Sequence, residues 1–161
     1  MRIAITGHTK GLGKAFFEHF SVQGHDVIGM SRSTGYDVVD TRSSIVEIAK
    51  TCDLFFNNVH HATTQAEYIK ELCNSTKLIT SGSMGADYAH TGNLYYAEKL
   101  IIQQAHRAAQ QSCQFPILLL KMGYLENHPE KRPIRYNEIC NAVDFWLLNP
   151  RCTMIEFGNI T

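Results

Sequence analysis

The sequence predicts a doubly wound α/β fold: one parallel sheet of about seven strands with helices on both faces, in a single domain over residues 1–161. Three observations predict it. Short apolar runs alternate with helical stretches from end to end. The strand candidates are apolar on both faces, as a parallel sheet covered by helices requires. A glycine-rich turn joins the first apolar run to the first amphipathic one, in the stretch ITGHTKGLGKAFFEHF from Ile5 to Phe20.

In chain order the strand candidates are RIAIT (2–6), DVIGM (26–30), YDVV (36–39), DLFFNN (53–58), KLITSG (77–82), PILLLKM (116–122) and TMIEF (153–157). Helical patterns lie between them at about 11–23, 43–51, 63–74, 93–112 and 136–148, with apolar residues three and four apart, as in Ala15, Phe16 and Phe20. The proline- and charge-rich GYLENHPEKRPIR reads as a surface loop.

Lysine plus arginine equals aspartate plus glutamate at 15 each. The chain therefore lacks the basic field that binding to nucleic acid or an anionic membrane leaves, and any anion site must be local. The opening MRIAIT has no signal-peptide core, and no apolar run approaches the ~20 residues that cross a bilayer, so a cytoplasmic protein is expected. Cys52, Cys73, Cys113, Cys140 and Cys152 are scattered without a CxxC pair, which favours reduced thiols. His60 and His61 point in different directions as neighbours and have no third ligand nearby, so no metal site is expected.

The glycines of the opening stretch fall at Gly7, Gly11 and Gly13, between the first strand and the first helix. A turn of this kind lets backbone N–H groups approach a pyrophosphate at the positive end of a helix, because no Cβ atoms block the contact.

Thr6-Gly7-x-x-x-Gly11-x-Gly13 resembles the TGxxxGxG fingerprint of the short-chain dehydrogenase/reductase family, and further matches follow in the family's order. DLFFNNVHH is similar to its fourth strand ending in NNAG, with Asn57, Asn58 and Val59 on pattern and His60 in place of the glycine. Tyr95-Tyr96-Ala97-Glu98-Lys99 is similar to its YxxxK motif near the start of a long helix. LLLKMGYLEN resembles the PGxI segment after the sixth strand, with Met122 replacing proline and with Gly123 and Leu125 kept. These motifs cover nearly the whole chain. The resemblance implies a Rossmann-type NAD(P)-binding domain, contacting the cofactor through Gly7, His8, Thr9, Lys10, Gly11, Leu12 and Gly13. It adds Asn57, Asn58, Val59, Met122, Gly123, Leu125, Tyr95 and Lys99 to the same task.

Tyr95 and Lys99, four apart, share a helix face, so the ammonium can stand near the phenol and favour its ionised form; Tyr96 is the neighbour that the spacing excludes. The resemblance makes Tyr95 the general acid in carbonyl reduction and has Lys99 also hold the nicotinamide ribose. It further implies a strand-end serine that orients the substrate carbonyl. TSGSMG offers Ser83, favoured by position, and Ser81 as the alternative. The segment ATTQAEYIKELCNST is shorter than the family's equivalent and carries no asparagine matching its proton-relaying one, so the chain resembles a minimal member with an open substrate site.

An NAD-specific site usually carries a carboxylate at the end of the second strand, where it would repel a 2′-phosphate. IGMSRS instead places Ser31 and Arg32 there, with no carboxylate until Asp37, and Asp37-Val38 fits the family's adenine-contacting position. Lys10, before the second glycine, adds a second cation. NADP(H) is therefore expected over NAD(H), with Arg32 the larger contributor. The expected activity is an NADP(H)-dependent interconversion of a carbonyl and an alcohol. The alternative is a nucleotide-binding or sensing protein of the same fold with little catalysis, and a sugar-nucleotide epimerase is weakened because no substrate domain follows. Substrate contacts are expected from Met84 to Thr91 and from Tyr124 to Arg135, with Tyr88, His90, His128 and Arg132 as polar candidates. The family's pairing of the 93–112 helix implies a homodimer or homotetramer.

Overall fold

The computed structural model describes residues 1–126 and 133–158. The strands are β1 (Arg2–Thr6), β2 (Asp26–Met30), β3 (Leu54–Asn57), β4 (Lys77–Ser83), β5 (Ile117–Met122) and β6 (Met154–Phe157). They form one sheet in the order β2-β1-β3-β4-β5-β6, with every neighbouring pair parallel. The helices are α1 (Gly11–Val22), α2 (Arg42–Lys50), α3 (Thr64–Leu72), α4 (Leu94–Ala109) and α5 (Tyr136–Leu148), each within a few residues of its predicted span.

Side chains that alternate along each strand feed two separate cores. Ile3 and Ile5 of β1 join Leu54 and Phe56 of β3 beneath α1 and α5, whose Phe16, Phe20, Val143 and Trp146 close that face. Ala4 and Phe55 turn the other way, toward Ile45 of α2, Ile69 of α3 and Ile102 of α4. Burial on both faces explains why the strands read as continuous apolar runs.

Among the described residues the sheet has six strands rather than about seven, because YDVV does not join it. Residues 38–41 form a turn, and the Asp37 and Thr41 side chains take up backbone groups around it. Asp37 Oδ1 accepts from the N–H groups of Val39 (2.8 Å) and Asp40 (3.3 Å). Thr41 Oγ1 accepts from the Asp37 N–H (2.9 Å) and donates to its carbonyl (2.8 Å). Such side-chain bonds compete directly with a strand ladder. Val38 is still buried, its carbonyl accepting from the Tyr68 hydroxyl at 3.2 Å.

After β1 the chain crosses to β2 on one side, and after β2 it returns to β3 on the other. The C-terminal ends of β1 and β3 therefore diverge, at the place where open α/β sheets hold ligands. The β1–β3 register stops at Ile5 and Phe56. Thr6 then takes over with its side chain: Oγ1 donates to the Phe56 carbonyl (3.2 Å) and accepts from the N–H groups of Asn58 (2.9 Å) and Val59 (3.3 Å). Among the described residues no helix is long and apolar enough to cross a membrane.

Candidate functional site

The glycine turn is built to leave no room for Cβ atoms on its inner side. Gly7 has φ of +71°, and a Cβ there would stand 2.6 Å from Val59 Cγ2. A Cβ on Gly13 would strike the Gly7 carbonyl, so the third glycine lets α1 pack against the end of β1. The Gly7 N–H donates to the Met30 carbonyl at 2.7 Å, fastening the turn to the end of β2. Lys10 is the N-cap of α1 and offers no side-chain cap, and no acidic residue stands in the first turn. The leading amides of α1 are thus available to an anion.

His8 turns back from the turn, packing on Gly29 of β2 and on the Phe17 ring (5.1 Å between centroids). Thr9, Lys10 and Arg32 are exposed, and Leu12 is buried at the turn. Ser31 and Arg32 belong to a short 3-10 turn, Arg32–Thr34, with Ser31 Oγ 2.8 Å from Ser33 Oγ. The Asp37 carboxyl is held below the usual carboxylate range, first by its bonds from Val39 and Asp40 and to a lesser degree by Arg32.

A cleft of about 250 Å³ opens from this turn across the ends of β3, β4 and β5. Gly11, Leu12 and Asn58 form one side; Ser81, Ser83, Tyr95 and Lys99 form another; Met122, Gly123 and Leu125 complete it. Val59 lies behind Gly7, and Asn57 is wholly buried beneath the floor. The Gly123 N–H donates to the Phe157 carbonyl (2.9 Å), which anchors the segment after β5 to β6.

Tyr95 is 42% exposed and Lys99 4%. Lys99 Nζ stands 5.6 Å from the centre of the Tyr95 ring. It donates to Gln65 Oε1 at 2.9 Å and to the Ser81 carbonyl at 3.4 Å. Burial, only partly offset by Glu98, lowers the Lys99 pKa to about 8. Tyr96 packs away on Gly85 and toward Tyr88.

The two serines differ in what their protons do. Ser81 Oγ is buried, donates to the Asn58 carbonyl at 3.1 Å and accepts from Gln65 Nε2 at 3.1 Å. Ser83 Oγ accepts from the Gly85 N–H at 3.1 Å and keeps its own proton for the cleft. His60, standing where the family pattern has glycine, sets its ring 5.0 Å from that of Tyr95. Its Nε2 lies 3.0 Å from Glu98 Oε2. Burial, then Lys99, holds the imidazole below the ordinary histidine range.

Gln65 is the site residue that sequence reasoning missed. Fully buried on α3, it supports Lys99 through Oε1, while Nε2 donates to the Asn57 carbonyl (2.8 Å) and its own carbonyl accepts from Asn57 Nδ2 (2.8 Å). The available signal was a polar residue on the stripe shared with Ile69 and Leu72. Of the substrate candidates, Tyr88 and His90 are exposed on a 3-10 segment, Met84–Thr91, which Lys121 tethers through Asp87 Oδ2 at 2.8 Å. His128 and Arg132 lie outside the described residues.

No protein-family model and no curated protein matches the chain. Solved structures do. An alcohol dehydrogenase from the archaeon Thermococcus sibiricus, complexed with 5-hydroxy-NADP, has 16% identity and a TM-score of 0.77, covering 99% of this chain and 97% of that one. A short-chain dehydrogenase from Sphingobium yanoikuyae in complex with NADPH has 13% identity and a TM-score of 0.72 over 96% and 87%. Serine dehydrogenase from Escherichia coli has 17% identity and a TM-score of 0.75 over 98% and 97%. Identities this low speak for a shared fold, and the chain has the Rossmann-type fold of short-chain dehydrogenase structures.

Proposed function

We propose that the protein is an oxidoreductase that binds a nicotinamide dinucleotide in this cleft, NADP(H) in preference to NAD(H), and interconverts a carbonyl and an alcohol. The observation that carries the proposal is that Tyr95, Lys99 and Ser83 meet in the same cleft as the uncapped start of α1. The residues fit such a group: Gly11 lines the cleft without a Cβ to fill it, and Asn58 and Lys99 face the same space.

When bound, the nicotinamide supplies or accepts the hydride. The Tyr95 phenol, at the exposed side of the cleft, gives a proton to the oxygen of the forming alcohol or takes one from it in the reverse direction. Lys99, held by Gln65, presents positive charge beside the Tyr95 ring. Ser83 donates to the substrate oxygen and supports its developing charge. Preference for NADP(H) rests on Lys10 and Arg32, exposed on two segments that the Gly7–Met30 bond holds together.

The exposure of Tyr95 favours a second reading, a dinucleotide-binding protein with little turnover, because water reaches the phenol. Loss of NADPH absorbance against a panel of aldehydes, ketones and quinones separates the two. Turnover of any member supports the oxidoreductase. Saturable NADPH binding with no turnover of the whole panel supports the second reading.

A further inference from the structure

A residue that none of the sequence motifs includes stands against the glycine turn. Tyr136 opens α5, and its hydroxyl is buried with no hydrogen-bond partner among the described residues. The phenol reaches across to the first residue of α1, where a Cβ built on Gly11 would lie 3.5 Å from Tyr136 Oη. Gly11 takes φ of +55°, so the turn presents a bare Cα to the hydroxyl, and both residues line the same cleft.

The ring is held in place from two sides. The Tyr136 N–H donates to Glu126 Oε2 at 3.3 Å, and Ile134 just before it is bridged to Leu125. Farther along α5, Ile139, Val143 and Trp146 share one core with Phe16 and Phe20 of α1. The spacing between the phenol and the start of α1 is therefore set by packed helices.

A hydroxyl shut away from water without a partner carries a desolvation cost that nothing returns, and proteins leave few such groups. An acceptor entering the cleft at the start of α1 would return it. Within a dinucleotide, the part that a glycine turn and a helix N-terminus hold is the diphosphate. Resting on the dinucleotide reading above, we infer that the Tyr136 hydroxyl donates a hydrogen bond to the diphosphate bridge, completing from α5 the anion site that the amides of α1 begin. Burial first, then the Glu126 carboxylate, keeps the phenol above the ordinary tyrosine range, so it remains a donor.

Calorimetric titration of wild type and Tyr136→Phe with NADPH, ADP-ribose and 2′-AMP, together with melting curves of the empty proteins, tests this. The variant is expected to weaken NADPH and ADP-ribose about tenfold or more, as loss of a hydrogen bond to a charged group does. It is expected to leave 2′-AMP, which has no diphosphate, unchanged. The empty variant is expected to melt at or above the wild-type temperature, since an unpaired buried hydroxyl has been removed. Weaker 2′-AMP binding or a lower melting temperature would make Tyr136 a packing residue and overturn the inference. Equal NADPH and ADP-ribose binding by wild type and variant would overturn it while leaving the dinucleotide reading intact. Failure of wild type to bind NADPH and ADP-ribose would overturn both.

Discussion

Lys99 is an ammonium with almost no water, and the two groups that receive its hydrogen bonds, Gln65 Oε1 and the Ser81 carbonyl, are both uncharged. Dipoles compensate burial less than a carboxylate would, which is why its pKa falls to about 8. The charged form is the one that assists Tyr95, so turnover should decline as pH rises through about 8. Gln65→Glu puts a carboxylate where the amide oxygen stands and should move that decline to higher pH, as a pH–rate profile would register. Folding carries the same signature. The unfolded lysine holds its proton up to about 10.4, so between about 8 and that value the unfolded chain binds more protons and stability rises with pH. Lys99→Met should lose that rise in urea melts across the window. Tyr95→Phe keeps the ring packed against His60 and removes only the proton carrier. Turnover on an identified substrate should fall at least about a hundredfold while NADPH affinity stays near wild type. Normal turnover by Tyr95→Phe alongside an inactive Tyr96→Phe would move the catalytic role one residue along.

At the scale of elements, the segment between β2 and α2 matters most for cofactor choice. It is where a seventh strand was expected, and the Asp37 and Thr41 side chains close it into a turn behind the 3-10 turn that carries Arg32. Arg32→Asp reverses the charge at the expected 2′-phosphate position without touching the core. It should weaken NADPH by about ten- to a hundredfold, in line with losing a hydrogen bond to a charged group, and change NADH much less. Equal or tighter NADH binding by wild type would refute the preference. The rest of the architecture was legible because period and burial agree, as at Phe16 and Phe20 on α1 and in the strands apolar on both faces. The turn at 38–41 was not, because Val38 and Val39 carry strand propensity while the deciding bonds come from the polar residues around them. The site divides the same way. Of the residues named by spacing, Tyr95, Lys99 and Gly11 line the cleft, while Gly7 and Gly13 pack within the turn beside it. Tyr136 reaches the cleft only through the packing of α5, and Gln65 stands behind it on α3, where one polar residue on an apolar stripe is the only local sign.

For the molecule as a whole, α4 carries apolar residues beyond those that cover the sheet. Ile102, Ala105 and Ala109 are buried in the core, whereas Leu94 and Ile101 remain 73% and 41% exposed. Assembly into a homodimer or homotetramer is expected, and light scattering should return two or four times the chain mass, with Ile101→Lys shifting it toward one. A monomer at micromolar concentration would refute that expectation. The junction between β1 and β3 has a mechanical consequence of its own. Past Ile5 and Phe56 the ladder has ended, and one oxygen, Thr6 Oγ1, carries three hydrogen bonds across the gap. All three bonds depend on that one hydroxyl, so Thr6→Val would unfasten the end of β1 from Asn58 and Val59 at a stroke and loosen the edge of the cleft that Asn58 lines.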